Sequence, residues 1–330
     1  MNCNVYFCVG FLVLLFLSGC GGSGSSSLEM ASDPVSDAGS TGSGSSNQST
    51  DSSSDGVSTA DIFCDYSDTT ENDQASLTLT SQAEWFCSPT ARQLSANGIP
   101  DHPVGQFPNP GNPNTITEQN VSEVFTLTPS QGESVQAVGG PRGPAGYVLN
   151  GVKIDADTAG SCDISGNCSL TSPNGAWNIE ALGQGAFDFG EDENNAHVQP
   201  GGVYHYHGIP EGFLTKRGAG PDQMTLIGWA SDGFPIYARY GYSDASDAGS
   251  NLEPMTGSYQ LVDPVPSDRP SVETYALGTF KQDWEYVEGS GDLDECNGRF
   301  GVTPEFPDGI YHYYATDSYP YFQRCLSGDL

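Results

Sequence analysis

From Asp61 onward apolar and polar positions alternate in short runs, each closed within a few residues by glycine, proline or asparagine. Period-two alternation of β-branched and aromatic residues between such breakers predicts strands, because residues two apart share a face. The runs are Ser122–Leu127, Gly146–Ile154, Ala176–Leu182, Gly201–His207, Leu226–Trp229, Ile236–Tyr242, Gly257–Leu261 and Gly309–Ala315. Helical periodicity is scarce. Its best candidate is Thr80 to Ser95, around Ser81-Gln82-Ala83-Glu84-Trp85-Phe86, a stretch that carries Cys87 and meets Pro89. No stretch of linker composition interrupts residues 61–330, so we expect one mainly β domain there. Its expected form is a single antiparallel sandwich or distorted barrel with few short helices.

The N-terminal sixty residues follow another pattern. Val5 to Leu17 is apolar but shorter than the roughly 20 residues of a membrane span, and it ends in Leu17-Ser18-Gly19-Cys20. Small residues before a cysteine at the end of such a run resemble a bacterial lipobox. That resemblance implies a lipoprotein signal peptide over 1–20, with Cys20 lipidated, and Gly21 in the following position implies the outer membrane. Residues 21–60 are rich in Gly, Ser and Asp and nearly devoid of apolar side chains, the composition of a disordered tether. Membrane contact is thus expected only through the lipid anchor.

Cysteine usage agrees with export. Apart from Cys3, Cys8 and Cys20, the chain holds Cys64, Cys87, Cys162, Cys168, Cys296 and Cys325. An even set in an exported chain reads as disulfides. Local spacing favours Cys64–Cys87, Cys162–Cys168 and Cys296–Cys325. No Cys-x-x-Cys is present to suggest a zinc ribbon. A net charge of −32 argues against nucleic acid as a partner, because that binding needs a basic footprint.

The chemistry concentrates in two related segments. Gly202-Val203-Tyr204-His205-Tyr206-His207 is echoed by Gly309-Ile310-Tyr311-His312-Tyr313-Tyr314. On strands, His205 and His207 share one face, as do His312 and Tyr314. If the two strands were neighbours, three imidazoles would converge as a facial set suited to Cu or Zn. The chain's two other histidines, His197 and His102, are further candidate ligands. Asp232 and Asp294 are candidate carboxylates to orient the ligand histidines, with Tyr314 nearby. Each could instead be structural: a Tyr-His strand as a hydrogen-bonded core element, Asp232 as a turn former.

Four blocks carry a family resemblance. They are Asn97-Gly98-Ile99-Pro100-Asp101-His102-Pro103 with Gly105-Gln106-Phe107-Pro108-Asn109, Asn194 through Gly208, Gly228 through Tyr237, and Leu293 through Arg299 running on to Tyr311-His312-Tyr313. Together they resemble the YHYH-motif family of secreted and envelope proteins, a family that brings no settled activity. Three functional classes follow from the residues. The first is a cell-envelope protein that binds Cu or Zn. The second is a metal-dependent hydrolase at the same site, with Asp232 or Glu295 as base and Arg299 stabilising negative charge. The third is an adhesion or assembly module held by disulfides and Ca²⁺, for which Glu191–Asn195 and Asp292–Glu295 offer oxygen-rich loops without EF-hand spacing.

Overall fold

The computed structural model describes residues 63–139 and 142–330. The expected signal peptide, Cys20 and the tether lie outside the described residues.

The domain opens with an antiparallel four-stranded sheet of β1 (Asp65–Glu71), β2 (Thr80–Cys87), β3 (Ala91–Ala96) and β4 (Val121–Thr126). β2 and β3 occupy the stretch expected to be helical. The correction has a simple cause. Ser81, Ala83 and Trp85 are buried while Gln82, Glu84 and Phe86 face outward, a period of two that a helix cannot satisfy. Pro89 then sits in the turn of a hairpin. β5 (Gln131–Ala137) pairs with a strand at the far end of the chain.

Next come β6 (Gly146–Val148) and β7 (Lys153–Ile154), then three two-residue strands, β8 (Ser161–Cys162), β9 (Cys168–Ser169) and β10 (Trp177–Asn178), which form a small sheet. β11 (Ala196–Gln199) and β12 (Val203–Tyr206) make a hairpin through Pro200-Gly201-Gly202, followed by the short helix α1 (Glu211–Lys216). β13 (Thr225–Ala230) and β14 (Pro235–Ala238) form another. Two small antiparallel pairs follow, β15 (Tyr240–Tyr242) with β16 (Leu252–Pro254) and β17 (Tyr259–Leu261) with β18 (Trp284–Tyr286). β19 (Gly298–Gly301), β20 (Ile310–Ala315) and β21 (Cys325–Gly328) complete the chain, and β21 is the partner of β5.

The fold is mainly β, as the alternation predicts, and no described sheet closes into a barrel. The largest sheet is mixed, with eight strands in the order β11-β12-β7-β6-β13-β14-β20-β19. It reads alike from either edge. Each half runs inward through an antiparallel outer pair, a parallel pair and an antiparallel hairpin. At the centre β6 and β13 run antiparallel with Tyr147 opposite Trp229. A pseudo-twofold axis therefore passes between these residues, and the sheet is the same unit built twice.

The match extends to detail. The β6–β7 turn is Asn150-Gly151 and the β13–β14 turn is Asp232-Gly233, with both glycines at positive φ (78° and 88°), where a side chain would be strained. Asn150 donates to the Tyr206 hydroxyl, and Asp232 accepts from the Tyr313 hydroxyl. The parallel pairs set Ile154 beside Tyr206 and Ile236 beside Tyr313. The main apolar core packs around these tyrosines, Trp85 and Trp229. Disulfides join Cys64–Cys87, Cys162–Cys168 and Cys296–Cys325, the pairing that local spacing favours.

Candidate metal centre

The β11–β12 hairpin pairs about Pro200-Gly201-Gly202 so that His197 lies directly opposite His205. His207 lies two residues beyond on the same face, and its backbone N–H bonds the Asn195 carbonyl (2.8 Å). A hairpin of this register therefore gathers three imidazoles without help from distant chain segments. His207 Nε2 is 3.1 Å from His197 Nε2 and 3.0 Å from His205 Nε2. All three residues are buried, at 8%, 2% and 4% exposure.

Protonation follows from the other ring nitrogens. His197 Nδ1 sits 3.1 Å from the Phe189 carbonyl and His205 Nδ1 3.1 Å from the Val203 carbonyl. A carbonyl only accepts, so both Nδ1 atoms carry the proton and both Nε2 atoms present bare lone pairs. His207 can supply at most one proton to the trio, which leaves an acceptor without a donor. Burial holds all three imidazoles below the ordinary histidine range; His205 and His207, crowded also by their histidine neighbours, lie well below it. Neutral imidazoles with converging lone pairs are the form that binds metal. Four-coordinate zinc with Zn–N bonds of about 2.0–2.1 Å places its nitrogens about 3.3 Å apart, close to the spacings seen. This buried triad can hold a metal ion.

The YHYH protein family description matches residues 122–328, more than half of the chain. The chain belongs to the YHYH family. Neither curated proteins nor solved structures yield a match.

In this YHYH domain the two Tyr-His strands are not neighbours. β7, β6, β13 and β14 stand between β12 and β20, so His312 does not join His205 and His207, which corrects the expected convergence. Instead His312 is fully buried, with Nδ1 2.9 Å from the Ile310 carbonyl and Nε2 accepting from the Tyr314 hydroxyl (2.9 Å). Burial lowers its pKa to about 3. Tyr314 thus satisfies His312 and is remote in the sheet order from the triad.

His102 is also outside the triad. It lies across β12, on the tyrosine face, where Nε2 accepts from the Tyr206 hydroxyl (2.6 Å) and Nδ1 donates to the Pro103 carbonyl (2.8 Å). Asp101 accepts there from Asn150 (2.7 Å) and pairs with Lys216 (2.8 Å). The opening family block therefore buttresses the back of the motif strand.

The carboxylates expected to orient ligands serve the second half. Asp232 accepts from Tyr313 and from the Gly328 N–H (2.9 Å), tying β20 and β21 to the β13–β14 turn. Asp294 accepts from Tyr311 (2.9 Å) and from the N–H groups of Cys296 (2.9 Å) and Gly298 (3.0 Å). Asp192 makes the matching set in the first half, with Tyr204 (2.8 Å), Asn194 N–H (2.9 Å) and Gly105 N–H (2.9 Å). These two aspartates anchor the loops considered for Ca²⁺, and their oxygens already face tyrosine hydroxyls and backbone N–H groups. Glu295 is exposed. Arg299 lies on β19 opposite His312 and donates to the Tyr242 carbonyl (2.6 Å).

Sequence reasoning missed the residues around the triad. Lys153 pairs in register with His205 and its ammonium reaches Asp155 (2.9 Å) and Gln199 (3.0 Å). Glu191 Oε1 lies 3.8 Å from His197 Nδ1, and burial pushes the Glu191 carboxyl up to about 7. Counting outward from Pro200-Gly201-Gly202 would have paired His197 with His205. Nothing in the sequence points to Lys153, which a parallel crossover brings in, and Glu191 stands out there only as part of an acidic loop considered for Ca²⁺.

Proposed function

We propose that the YHYH domain binds a transition metal, Cu or Zn, through His197, His205 and His207. One observation carries this reading: two Nε2 lone pairs, fixed by Nδ1–H bonds to carbonyls, meet the third imidazole at 3.0 and 3.1 Å in a buried site. Such a cluster lacks a proton for one of its acceptors and is completed by a cation. The three disulfides and the family support an extracellular or envelope setting. Within that setting we place the domain as an outer-membrane lipoprotein held through Cys20.

Binding is favoured over hydrolysis by the position of the groups. Asp232, Glu295 and Arg299, the residues expected to act as base and charge stabiliser, belong to the second half of the sheet. The test is elemental analysis of untagged protein purified without chelator. Near-stoichiometric Cu or Zn is expected, and its absence after metal-replete growth sinks the reading.

A further inference from the structure

The duplication lets the charge of the candidate site be compared position by position with a twin. Asn195 and Asn297, both at positive φ (54° and 61°), occupy the same place in each half. Each accepts the N–H of the last motif residue at its backbone carbonyl, His207 in one half and Tyr314 in the other. Two residues after each asparagine comes the residue opposite the motif histidine: His197 in the first half, Arg299 in the second. The residue before the tyrosine-binding aspartate is Glu191 in the first half and Leu293, 3% exposed, in the second.

The second half therefore carries a permanent cation and a greasy side chain where the first carries an imidazole and a carboxylate. The Arg299 guanidinium lies 5.5 Å from the Tyr314 ring centre and 3.4 Å from its hydroxyl. In the first half Glu191 Oε1 is buried with no hydrogen-bond partner among the described residues, 3.8 Å from His197 Nδ1. The neighbouring acids are engaged elsewhere: Asp155 with Lys153, Asp192 with Tyr204 and Gly105. An unpartnered buried carboxylate oxygen is costly, and here it lies beside one of the three converging imidazoles.

Building on the metal-binding reading, we propose that Glu191 is the counter-charge of the site. Its Oε1 lies 3.8 Å from the His197 Nδ1 whose proton the Phe189 carbonyl accepts; acting through space on the ion's charge, it fits the site to a divalent cation, Zn²⁺ or Cu²⁺, in preference to Cu⁺. Groups just outside a ligand histidine are worth about 10–100-fold in metal affinity. The attraction scales with the charge of the ion, so the factor for a monovalent ion is about the square root, roughly 3–10-fold.

The experiment is a titration of the full chain and of Glu191→Gln with Zn²⁺, and with Cu⁺ held reduced under anaerobic conditions, alongside melting of both apo proteins. Glu191→Gln should weaken Zn²⁺ about 10–100-fold and Cu⁺ only about 3–10-fold. Its apo melting temperature should equal or exceed that of the wild type, since an amide avoids the burial of a charge. Equal weakening of both ions, an unchanged Zn²⁺ affinity, or a lowered apo melting temperature overturns the inference and leaves the triad standing. Wild-type protein that takes up neither ion overturns the metal-binding reading and this inference together.

Discussion

Gly202–His207 and Gly309–Tyr314, the segments around β12 and β20, carry nearly the same six residues, sit in matching places of a pseudo-symmetric sheet, and use their histidines in opposite ways. Both histidines lock Nδ1 onto the carbonyl two residues earlier. Both first tyrosines hydrogen-bond an aspartate that shapes the preceding loop. The difference lies in two neighbours. Beyond His312 comes Tyr314, whose hydroxyl fills the Nε2 lone pair, and opposite it is Arg299. Beyond His205 comes His207, and opposite it is His197, so the lone pairs meet one another. The motif strand is thus a scaffold common to both halves, and the residues around its histidine decide between a satisfied core element and a ligand set.

That contrast can be broken most severely at the ligands. Replacing His205 and His207 together with alanine should lower metal affinity by at least about 10³-fold, whereas His312→Ala should leave the metal stoichiometry unchanged by elemental analysis. The contrast can also be reversed. Arg299→His combined with Tyr314→His rebuilds the cross-strand trio on β19–β20 and should add a second metal equivalent. Binding there should be weaker than at the first site, because Leu293 offers no carboxylate; titration counts the sites.

Smaller effects test the satisfied half. Tyr314→Phe strips the donor from a buried imidazole and should cost about 1–3 kcal/mol, read as a lowered urea midpoint with metal content intact. The pH response follows the same logic. His312 has its folded pKa depressed to about 3 from the ordinary 6.5, so the unfolded chain binds the extra proton between those values. Its contribution to stability is full above pH 6.5 and shrinks as pH falls, by about 2 kcal/mol at pH 5. Urea unfolding at pH 7 and pH 5 should show that loss in the wild type and a smaller one in His312→Phe. Glu191, raised to about 7, has the opposite sign between its ordinary 4.5 and 7, so the comparison is cleanest in a Glu191→Gln background.

Local signals in the chain account for much of this architecture. Alternation located the strands, cysteine spacing anticipated the disulfide pairs, and the Tyr-His repeat marked the duplicated strands. Thr80–Ser95 was misleading because good helix formers there alternate with a period of two, and Trp85 needs one buried face. The partner of His205 could be counted across the Pro200 turn, but the echo at His312 drew attention to a strand that the sheet order places far away. Asp232 and Asp294 stand out in the sequence beside tight turns, yet their roles depend on tyrosines brought by long-range pairing. Glu191 stood out only as one acid in a loop considered for Ca²⁺, since an acidic residue in an acidic loop looks like solvated surface until its neighbour is known.

The position of β11 has a consequence of its own. It is the outermost strand of its sheet, four residues long, and contributes one ligand, while β12 contributes His205, with His207 just past its end as the third. A bound ion would act as a rivet between a margin and the body of the protein. Opening of such a margin ordinarily takes far less free energy than global unfolding, and a ligand of the closed state raises it. Amide hydrogen exchange at Ala196–Gln199 would then slow on metal uptake while the centre of the sheet, at Tyr147 and Trp229, stays unchanged. The envelope form of the protein would carry a record of its metal status in the breathing of a single hairpin.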